Sequence, residues 1–138
     1  LGDSFVGEWA NLGAGTTTSN LLNTYDEVIT RVSPRHPNER TGIRYLGTII
    51  GDHAKFAINT RIMTGAVVGT GSMIAATQGV MKSLGRFRWV TDDRDSLYRF
   101  DKFLDVARTV MARRGVTPTE RCVALLRSLH DLERGQEA

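Results

Sequence analysis

Large apolar residues recur at every sixth position through the middle of the sequence. They are Ile50, Phe56, Ile62, Val68, Ile74 and Val80, and the same step joins Val6 to Leu12. A helix needs apolar residues at three- and four-residue steps, and a half-buried strand needs strict alternation, so neither common period fits. A six-residue unit suits a very short strand followed by a tight corner. Small residues follow most of the apolar positions, as such corners require: Gly7, Gly13, Gly51, Ala57, Gly69 and Ala75.

Three such units make one triangular coil of about 18 residues, and successive coils stack as a parallel β-helix. Each inward apolar side chain then lies on that of the next coil, at about 1.5–3 kcal/mol per buried large aliphatic side chain. The predicted fold class is therefore mainly β, a parallel β-helix of hexapeptide repeats. An extruded loop and a C-terminal pair of α-helices complete the prediction.

The six-residue period stops between Asn20 and Tyr45. The interval holds two prolines, several turn-forming residues and four arginines, namely Arg31, Arg35, Arg40 and Arg44. It predicts a loop of residues 21–45 that leaves one coil, with a short hairpin strand at Glu27–Val32. A long excursion from a rigid scaffold favours a functional role, and a solvated insertion is the alternative.

A helical period replaces the six-residue period from Asp92 onward. The first helix is predicted to carry Leu97, Phe100, Leu104, Ala107 and Met111 on one face and to stop at Gly115. Thr117–Glu120 has the form of a capping box with Pro118 at the first helical position. The second helix is predicted to bury Cys122, Leu125, Leu126, Leu129 and Leu132. We expect residues 1–80 to form the coils and residues 81–138 a linker and two helices, which cover the open end or contact a neighbouring subunit.

Composition narrows the class of protein. Apolar residues make up 41% of the 138 residues and charged residues 24%, which is typical of one globular domain. The single cysteine, Cys122, excludes an internal disulfide and favours the cytoplasm. A net charge of +3 is too small to indicate a nucleic-acid partner, and no apolar run is long enough for a membrane span. Since Leu1 is not an initiator methionine, we expect a fragment of a longer protein.

The strings Leu1-Gly2-Asp3 and Asn11-Leu12-Gly13-Ala14-Gly15-Thr16, with Thr48 through Ala76 in register after the loop, resemble a known family. It comprises the bifunctional N-acetylglucosamine-1-phosphate uridyltransferase/glucosamine-1-phosphate acetyltransferases and related sugar nucleotidyltransferases. The resemblance implies a left-handed β-helix, a homotrimer and active sites between subunits. It also implies acetyl transfer from acetyl-CoA to an amino sugar phosphate or sugar nucleotide. The nucleotidyltransferase domain, which alone would need magnesium, would precede Leu1.

The resemblance also implies site residues. Asn11 matches the asparagine that contacts the amino sugar, and Ala14, Asn20, Ile58 and Ala76 match positions along the acetyl-CoA groove. Three positions depart from the family pattern. Leu21 replaces a tyrosine, for which Tyr25 can substitute, and Ile58 replaces a serine. The family's loop lysine has no aligned counterpart, and its charge can come only from Arg35, Arg40 or Arg44. The alternative is that Asn11 bonds its own turn and that the small residues only fill corners.

Acylation of an amine needs a base near neutral pH, which suits histidine. The family's histidine would lie upstream of Leu1, so we expect the fragment to have little or no acetyltransferase activity. Inside the sequence His53 is the candidate base, and the alternative is a corner histidine at the surface or between subunits. His36 is a weaker candidate, and His130 is predicted to face solvent.

Three other functions remain open. One alternative is that the coils form a non-catalytic module that trimerises or regulates a nucleotidyltransferase. A zinc lyase would need three histidines around one metal, which the scattered histidines do not favour, so no metal site is predicted. Basic and aromatic residues alternate in Arg86-Phe87-Arg88-Trp89, as in nucleic-acid binding. The better explanation is that Trp89 anchors the helices, while both arginines lie in solvent or reach a phosphate-bearing ligand of a neighbouring subunit.

Overall fold

The computed structural model describes residues 1–136. Its strands are β1 (Phe5–Val6), β2 (Asn11–Leu12), β3 (Thr17–Thr18), β4 (Ile29–Thr30), β5 (Glu39–Arg40), β6 (Ile49–Ile50), β7 (Lys55–Phe56), β8 (Arg61–Ile62), β9 (Val67–Val68), β10 (Met73–Ala75), β11 (Ser83–Leu84), β12 (Arg88–Thr91) and β13 (Asp95–Leu97). The helices are α1 (Phe100–Ala112) and α2 (Glu120–Gly135).

Parallel pairing brings residues of successive coils into vertical columns. One sheet pairs Val6 with Ile50, Ile50 with Val68 and Val68 with Leu84. A second pairs Leu12, Phe56, Ile74 and Val90 in the same way, and a third column contains Thr18, Ile62 and Val80. The fold is thus mainly β with parallel sheets and two C-terminal helices, as predicted, and the pairing is compatible with a β-helix.

The inward residues of these columns form the core. Ile50, Phe56, Ile62, Val68 and Ile74 are all buried in one cluster, with Leu12, Val80 and Leu84 packed against it. The small residues that follow them lie where the backbone of the next coil comes close. A Cβ at Gly69 would lie 2.5 Å from the Arg86 backbone nitrogen, so no side chain fits there. The six-residue period therefore identified the core and the reason for its small residues.

One corner of each coil has left-handed backbone conformation. Trp9, His53, Gly71 and Phe87 occupy equivalent positions in successive coils, with φ of 60°, 60°, 75° and 52°. Such φ values are uncommon for bulky side chains such as Trp and Phe, whereas glycine adopts them at no steric cost. The stacking of the coils, and not local preference, therefore sets this corner.

The loop of residues 21–45 contains the predicted hairpin. β4 pairs with β5 antiparallel, with Ile29 opposite Arg40. Val28 is fully buried, and the Thr30 hydroxyl donates to the Gly65 carbonyl oxygen at 2.7 Å. The loop is thereby fastened to the coil that contains Gly65.

Strand pairing continues past residue 80. β11 and β12 add to the two larger sheets, and β13 then turns back antiparallel along β12. Leu97 therefore lies in a strand and not in the predicted first helix, which begins at Phe100. The antiparallel hydrogen bonds to β12 outweigh the helical spacing of Leu97.

The second helix begins later than predicted, and only Cys122, Leu126 and Leu129 of its five predicted residues lie on the packed face. Thr119 is its N-cap and accepts from the Cys122 amide, so Pro118 precedes the helix. Leu125 and Leu132 are exposed, whereas Leu126, His130 and Glu133 are buried. The prediction that His130 faces solvent is therefore wrong, because steps of four and three residues place it on the packed face.

Both helices pack at the corner that carries Phe87. The buried cluster there includes Tyr98, Phe103, Leu104 and Leu126 around Phe87. The helices do not cover the end of the stack. A cavity of about 430 Å³ at the last coil, lined among others by Val80, Leu84 and Val90, has no helix residue in its wall.

The Arg86–Trp89 segment also differs from the prediction. Phe87 is the buried anchor, while Trp89 is 37% exposed. Arg88 is mostly buried and pairs with Asp95 at 2.7 Å, and Arg86 pairs with the buried Glu133 at 3.3 Å. The left-handed corner turns Phe87 inward and Trp89 outward.

Among residues 1–136, no helix is long and apolar enough to cross a membrane.

Ile62 and Ile58 offer a matched test of the six-residue period. Ile62 is 1% exposed and Ile58 is 69% exposed. We expect Ile62→Ala to lower the free energy of unfolding by about 2–5 kcal/mol, because it leaves a cavity in the core. Ile58→Ala should change it by no more than about 0.5 kcal/mol. Urea unfolding followed by circular dichroism measures both, and equal losses would contradict the inward column.

Thr18 is the one hydroxyl residue in an inward column. Its Oγ1 is buried without a hydrogen-bond partner, beneath Ile62. We expect Thr18→Val to raise the free energy of unfolding by about 1 kcal/mol, since an unsatisfied polar group is replaced at constant shape. Thr17→Val, on the exposed side of the same strand, is the control and should change little. Destabilisation by Thr18→Val in thermal unfolding would show that the hydroxyl has a partner.

Candidate functional site

The most developed groove lies between α1 and one outward face of the coils. The outward residues of that face form a ladder across four strands: Asn11, Lys55, Met73 and Trp89. α1 runs alongside and supplies the opposite wall with Val106 and Val110. Next to Asn11, Lys55 and Met73 the two walls enclose a cavity of about 560 Å³. This size falls within the range of about 300–1,000 Å³ that small-molecule sites occupy.

Asn11, Lys55, Arg113 and Arg114 are the amide and charged side chains that line this cavity. Asn11 is exposed on β2, and its amide can both donate and accept hydrogen bonds. Arg113 and Arg114, which follow the last turn of α1, reach the same cavity. Within residues 1–136 neither guanidinium has an ion-pair partner. An amide beside two available guanidiniums suits a ligand that carries hydroxyls and a phosphate.

Lys55 forms part of the floor of the cavity. Its Nζ donates to the Trp9 carbonyl oxygen at 2.6 Å and to the His53 carbonyl oxygen at 3.2 Å. Burial lowers the pKa of this amine from its ordinary value. Lys55 thus links two backbone carbonyls of the left-handed corner at the cavity wall.

His53 lies behind this floor and does not line the cavity. It is 5% exposed, its ring stacks on Trp9 at 6.5 Å between centroids, and the edge of Phe103 meets it at 5.7 Å. Its Nδ1 is buried without a hydrogen-bond partner. Burial lowers the pKa of the imidazole, nearby Lys55 lowers it further, and Asp52 opposes them. The expectation that His53 lies at the surface of this chain is therefore wrong, because Trp9 and α1 cover it.

Three of the predicted cofactor residues stack in one column. Ala14, Ile58 and Ala76 each follow a paired inward residue (Leu12, Phe56, Ile74) by two positions, so they occupy the same corner of successive coils. Ala76 also borders the cavity at the last coil. The column adjoins the face that carries Asn11, since the strand of each coil leads directly into this corner.

Asn20 and Tyr25 lie elsewhere. The Asn20 amide donates to the Asp3 carboxylate at 2.6 Å, at the corner that follows β3. Tyr25 is exposed in the loop. Arg35 bonds Glu133 at 3.1 Å and Arg40 bonds Glu27 at 2.6 Å, while Arg44 is exposed. One copy of the chain therefore does not gather all the predicted site residues into one cavity.

Lys55, Arg113 and Arg114 are the cavity residues that sequence reasoning missed. From the sequence alone, Arg113 and Arg114 are predicted to lie in solvent at the C-terminal end of the first helix. Only the packing of α1 against the second sheet brings them opposite Asn11. The position of Lys55, outward and one rung above Asn11, follows from the six-residue period and could have been found. In the described part of the chain, no group of three or more His, Cys, Asp or Glu residues is arranged to hold a metal ion.

Comparison with known proteins confirms the resemblance drawn from the sequence. The chain is 34% identical over 85 residues to a bifunctional sugar-1-phosphate nucleotidylyltransferase/acetyltransferase of Sulfurisphaera tokodaii. The matched segment covers 62% of this chain and 21% of that protein. It is 36% identical over 76 residues to the bifunctional protein GlmU of Methanococcus maripaludis, covering 55% and 18% respectively. The GlmU of Methanococcus vannielii is 31% identical over 90 residues, covering 65% and 21%.

The name of the Sulfurisphaera relative states two transferase activities, and the names of the Methanococcus relatives state that they are bifunctional proteins. The chain spans about a fifth of the length of the curated relatives it matches. No family model matches it.

The buried His53 predicts a pH dependence of stability. Its folded pKa lies below the ordinary 6.5, so the folded state resists protonation and the unfolded state binds the proton more readily. The stabilisation is complete above about pH 6.5 and is lost as the pH falls through the folded pKa. Asparagine tolerates the left-handed corner, so His53→Asn should fold. We expect this variant to lack the part of the loss of stability on acidification that His53 causes.

Thermal unfolding at several pH values between about 7.5 and 5 measures the effect. His36→Asn, which changes an exposed histidine, is the control and should retain the wild-type pH profile. If wild type and His53→Asn lose the same stability between these pH values, His53 does not resist protonation.

Proposed function

We propose that this chain is an acyltransferase-type domain of a sugar-nucleotide biosynthesis enzyme. It would take part in acetyl transfer from acetyl-CoA to an amino sugar phosphate or sugar nucleotide. We further propose that the coils wind left-handed and that three copies form a homotrimer. The observation that carries the proposal is the position of the Asn11 cavity beside the Ala14–Ile58–Ala76 column in the same coils.

The cavity supports binding of the acceptor. The Asn11 amide suits sugar hydroxyls, and Arg113 and Arg114 suit the phosphate. The apolar remainder of the wall, with Val106 and Val110 from α1, excludes water from the face of the sugar ring. The names of the relatives, a sugar-1-phosphate nucleotidylyltransferase/acetyltransferase among them, agree with this class of substrate.

The column supports binding of the donor. Ala14 and Ala76 leave the backbone of two coils accessible to a narrow, extended ligand such as a pantetheine chain. Ile58 contributes an exposed apolar side chain between them. Asn20 and Tyr25 lie at another corner, so in this proposal a neighbouring copy brings them to the groove.

The first sheet supports the homotrimer. Its outward ladder contains three apolar residues in succession, Phe5, Ile49 and Val67, and ends at Ser83. Phe5 and Ile49 are 64% and 40% exposed in the single chain. A continuous apolar face of this kind is typical of a contact with another subunit. The proposed occupant is a second copy of this chain, as three-fold packing of three-sided coils requires.

The chemistry joins the acceptor nitrogen to the acetyl carbonyl carbon, breaks the carbon–sulfur bond and releases CoA as the thiol. A base must remove one proton from the amine. His53 is covered by Trp9 and Phe103 and does not meet the cavity. We therefore assign it no proton transfer, and the base is proposed to be a histidine upstream of Leu1, as the resemblance implies.

Binding of acetyl-CoA tests the proposal without requiring activity. We expect calorimetric titration of the chain to show binding that Ala76→Leu weakens at least about tenfold, since a larger side chain fills the column. Ala124→Leu, on the exposed side of α2, is the matched control and should bind as wild type does. Absence of binding at about 5 mM acetyl-CoA would contradict the donor site and favour the non-catalytic module.

A further inference from the structure

A second cavity lies at the other end of the α1 groove, beside Trp89. It measures about 500 Å³, and Val106 separates it from the Asn11 cavity, because that side chain lines both. Trp89 and its cross-strand partner Ser96 form one wall, and the first turns of α1 form the other. Neither the proposed acceptor site nor the proposed donor column uses this cavity.

The cavity combines an aromatic surface with positive charge. The indole of Trp89 is 37% exposed, and Tyr98 meets it at 75° with 4.8 Å between the ring centroids. Tyr98 therefore fixes the orientation of the indole without stacking on it. An indole held in this way can stack on a planar ligand, at about 1–3 kcal/mol for a nucleobase.

Three cationic side chains line the same cavity as the indole. Arg94 comes from the turn between β12 and β13, and Arg99 and Lys102 come from the start of α1. Arg99 is paired with Asp101 at 2.6 Å. Among the residues that the structure describes, the side chains of Arg94 and Lys102 have no hydrogen-bond or ion-pair partner. Asp105 is the single carboxylate in the wall.

We propose that this cavity binds a nucleoside diphosphate, with the base on Trp89 and the phosphates between Arg94 and Lys102. The volume suits one nucleotide rather than a polymer. Asp105 is placed to accept a hydrogen bond from a ribose hydroxyl. The same chemistry is present in a free nucleotide and in the nucleotide end of CoA, and the experiment separates these two sources.

The test uses the whole chain and titrates it with ADP, with CoA and with inorganic pyrophosphate. Two-dimensional ¹H–¹⁵N spectra resolve the two indole N–H signals of Trp9 and Trp89, and Trp89→Phe assigns them. We expect ADP to shift the Trp89 signal and to bind with a dissociation constant below about 1 mM by calorimetry. Pyrophosphate should bind at least about tenfold more weakly, because it lacks the stacking base.

Matched variants locate the site. Trp89→Ala should weaken ADP binding about 5- to 150-fold, the range expected for one stacked base. Lys102→Ala should weaken it about 3- to 10-fold and reduce the dependence on salt. Arg108→Ala removes an exposed cation of the same helix that lines neither cavity, and it should have no effect. Thermal unfolding of each variant confirms that it is folded.

The CoA titration identifies the source of the nucleotide. If Trp89→Ala weakens CoA as much as ADP, the nucleotide end of CoA occupies the cavity. If CoA binding depends on Ala76 and not on Trp89, the ligand is a free nucleotide. The inference is overturned if ADP binds no better than pyrophosphate, if Trp89→Ala leaves ADP binding unchanged, or if Arg108→Ala weakens it as much as Lys102→Ala. It is also overturned if a single-stranded oligonucleotide binds about a hundredfold more tightly than ADP.

Discussion

Parallel pairing between successive coils is the constraint on which the rest of this structure depends. Because Ile50 pairs with Val68, 18 residues later, every inward side chain lies on an inward side chain, and every outward side chain lies on an outward one. The first consequence is a continuous apolar core made from strands of only two to four residues. The second is that each outward face is a ladder of residues distant in sequence. Asn11, Lys55, Met73 and Trp89 form one such ladder, with rungs about 4.8 Å apart.

The position of α1 turns that ladder into a groove. Phe103 of α1 meets Phe87 at 5.0 Å and His53 at 5.7 Å, both edge to face, so the helix is fixed on two coils that flank the coil of Gly71. α2 covers the outer side of this cluster, with His130 bonded to the Tyr98 carbonyl oxygen at 2.8 Å. The buried Glu133 then joins Arg86 of the last coil to Arg35 of the extruded loop. These contacts hold the groove, the helices and the loop in one fixed arrangement.

The site could be predicted from the sequence only in part. The string around Asn11 and the register of Ala14, Ile58 and Ala76 follow from the repeat and from the family resemblance, and one relative is named a bifunctional nucleotidylyltransferase/acetyltransferase. The opposing wall could not be predicted. Arg113 and Arg114 lie about a hundred residues from Asn11, and nothing in their local sequence indicates which face α1 covers. His53 shows the same limit, since a corner residue of a bare coil would be exposed and only Phe103 and Trp9 bury it.

The sequence by itself determined the repeat, the inward residues, the small corner residues and the hairpin in the loop. These features depend on spacing along the chain, and a six-residue step of apolar residues fits a stack of short strands joined by tight corners. The tertiary structure alone decided where α1 and α2 dock, that Leu97 joins a strand, that Phe87 and not Trp89 is the anchor, and that His130 and Glu133 are buried. Each of these outcomes depends on contacts between segments far apart in sequence. Their free energies come from packing and burial at one corner of the coils, which no local pattern encodes.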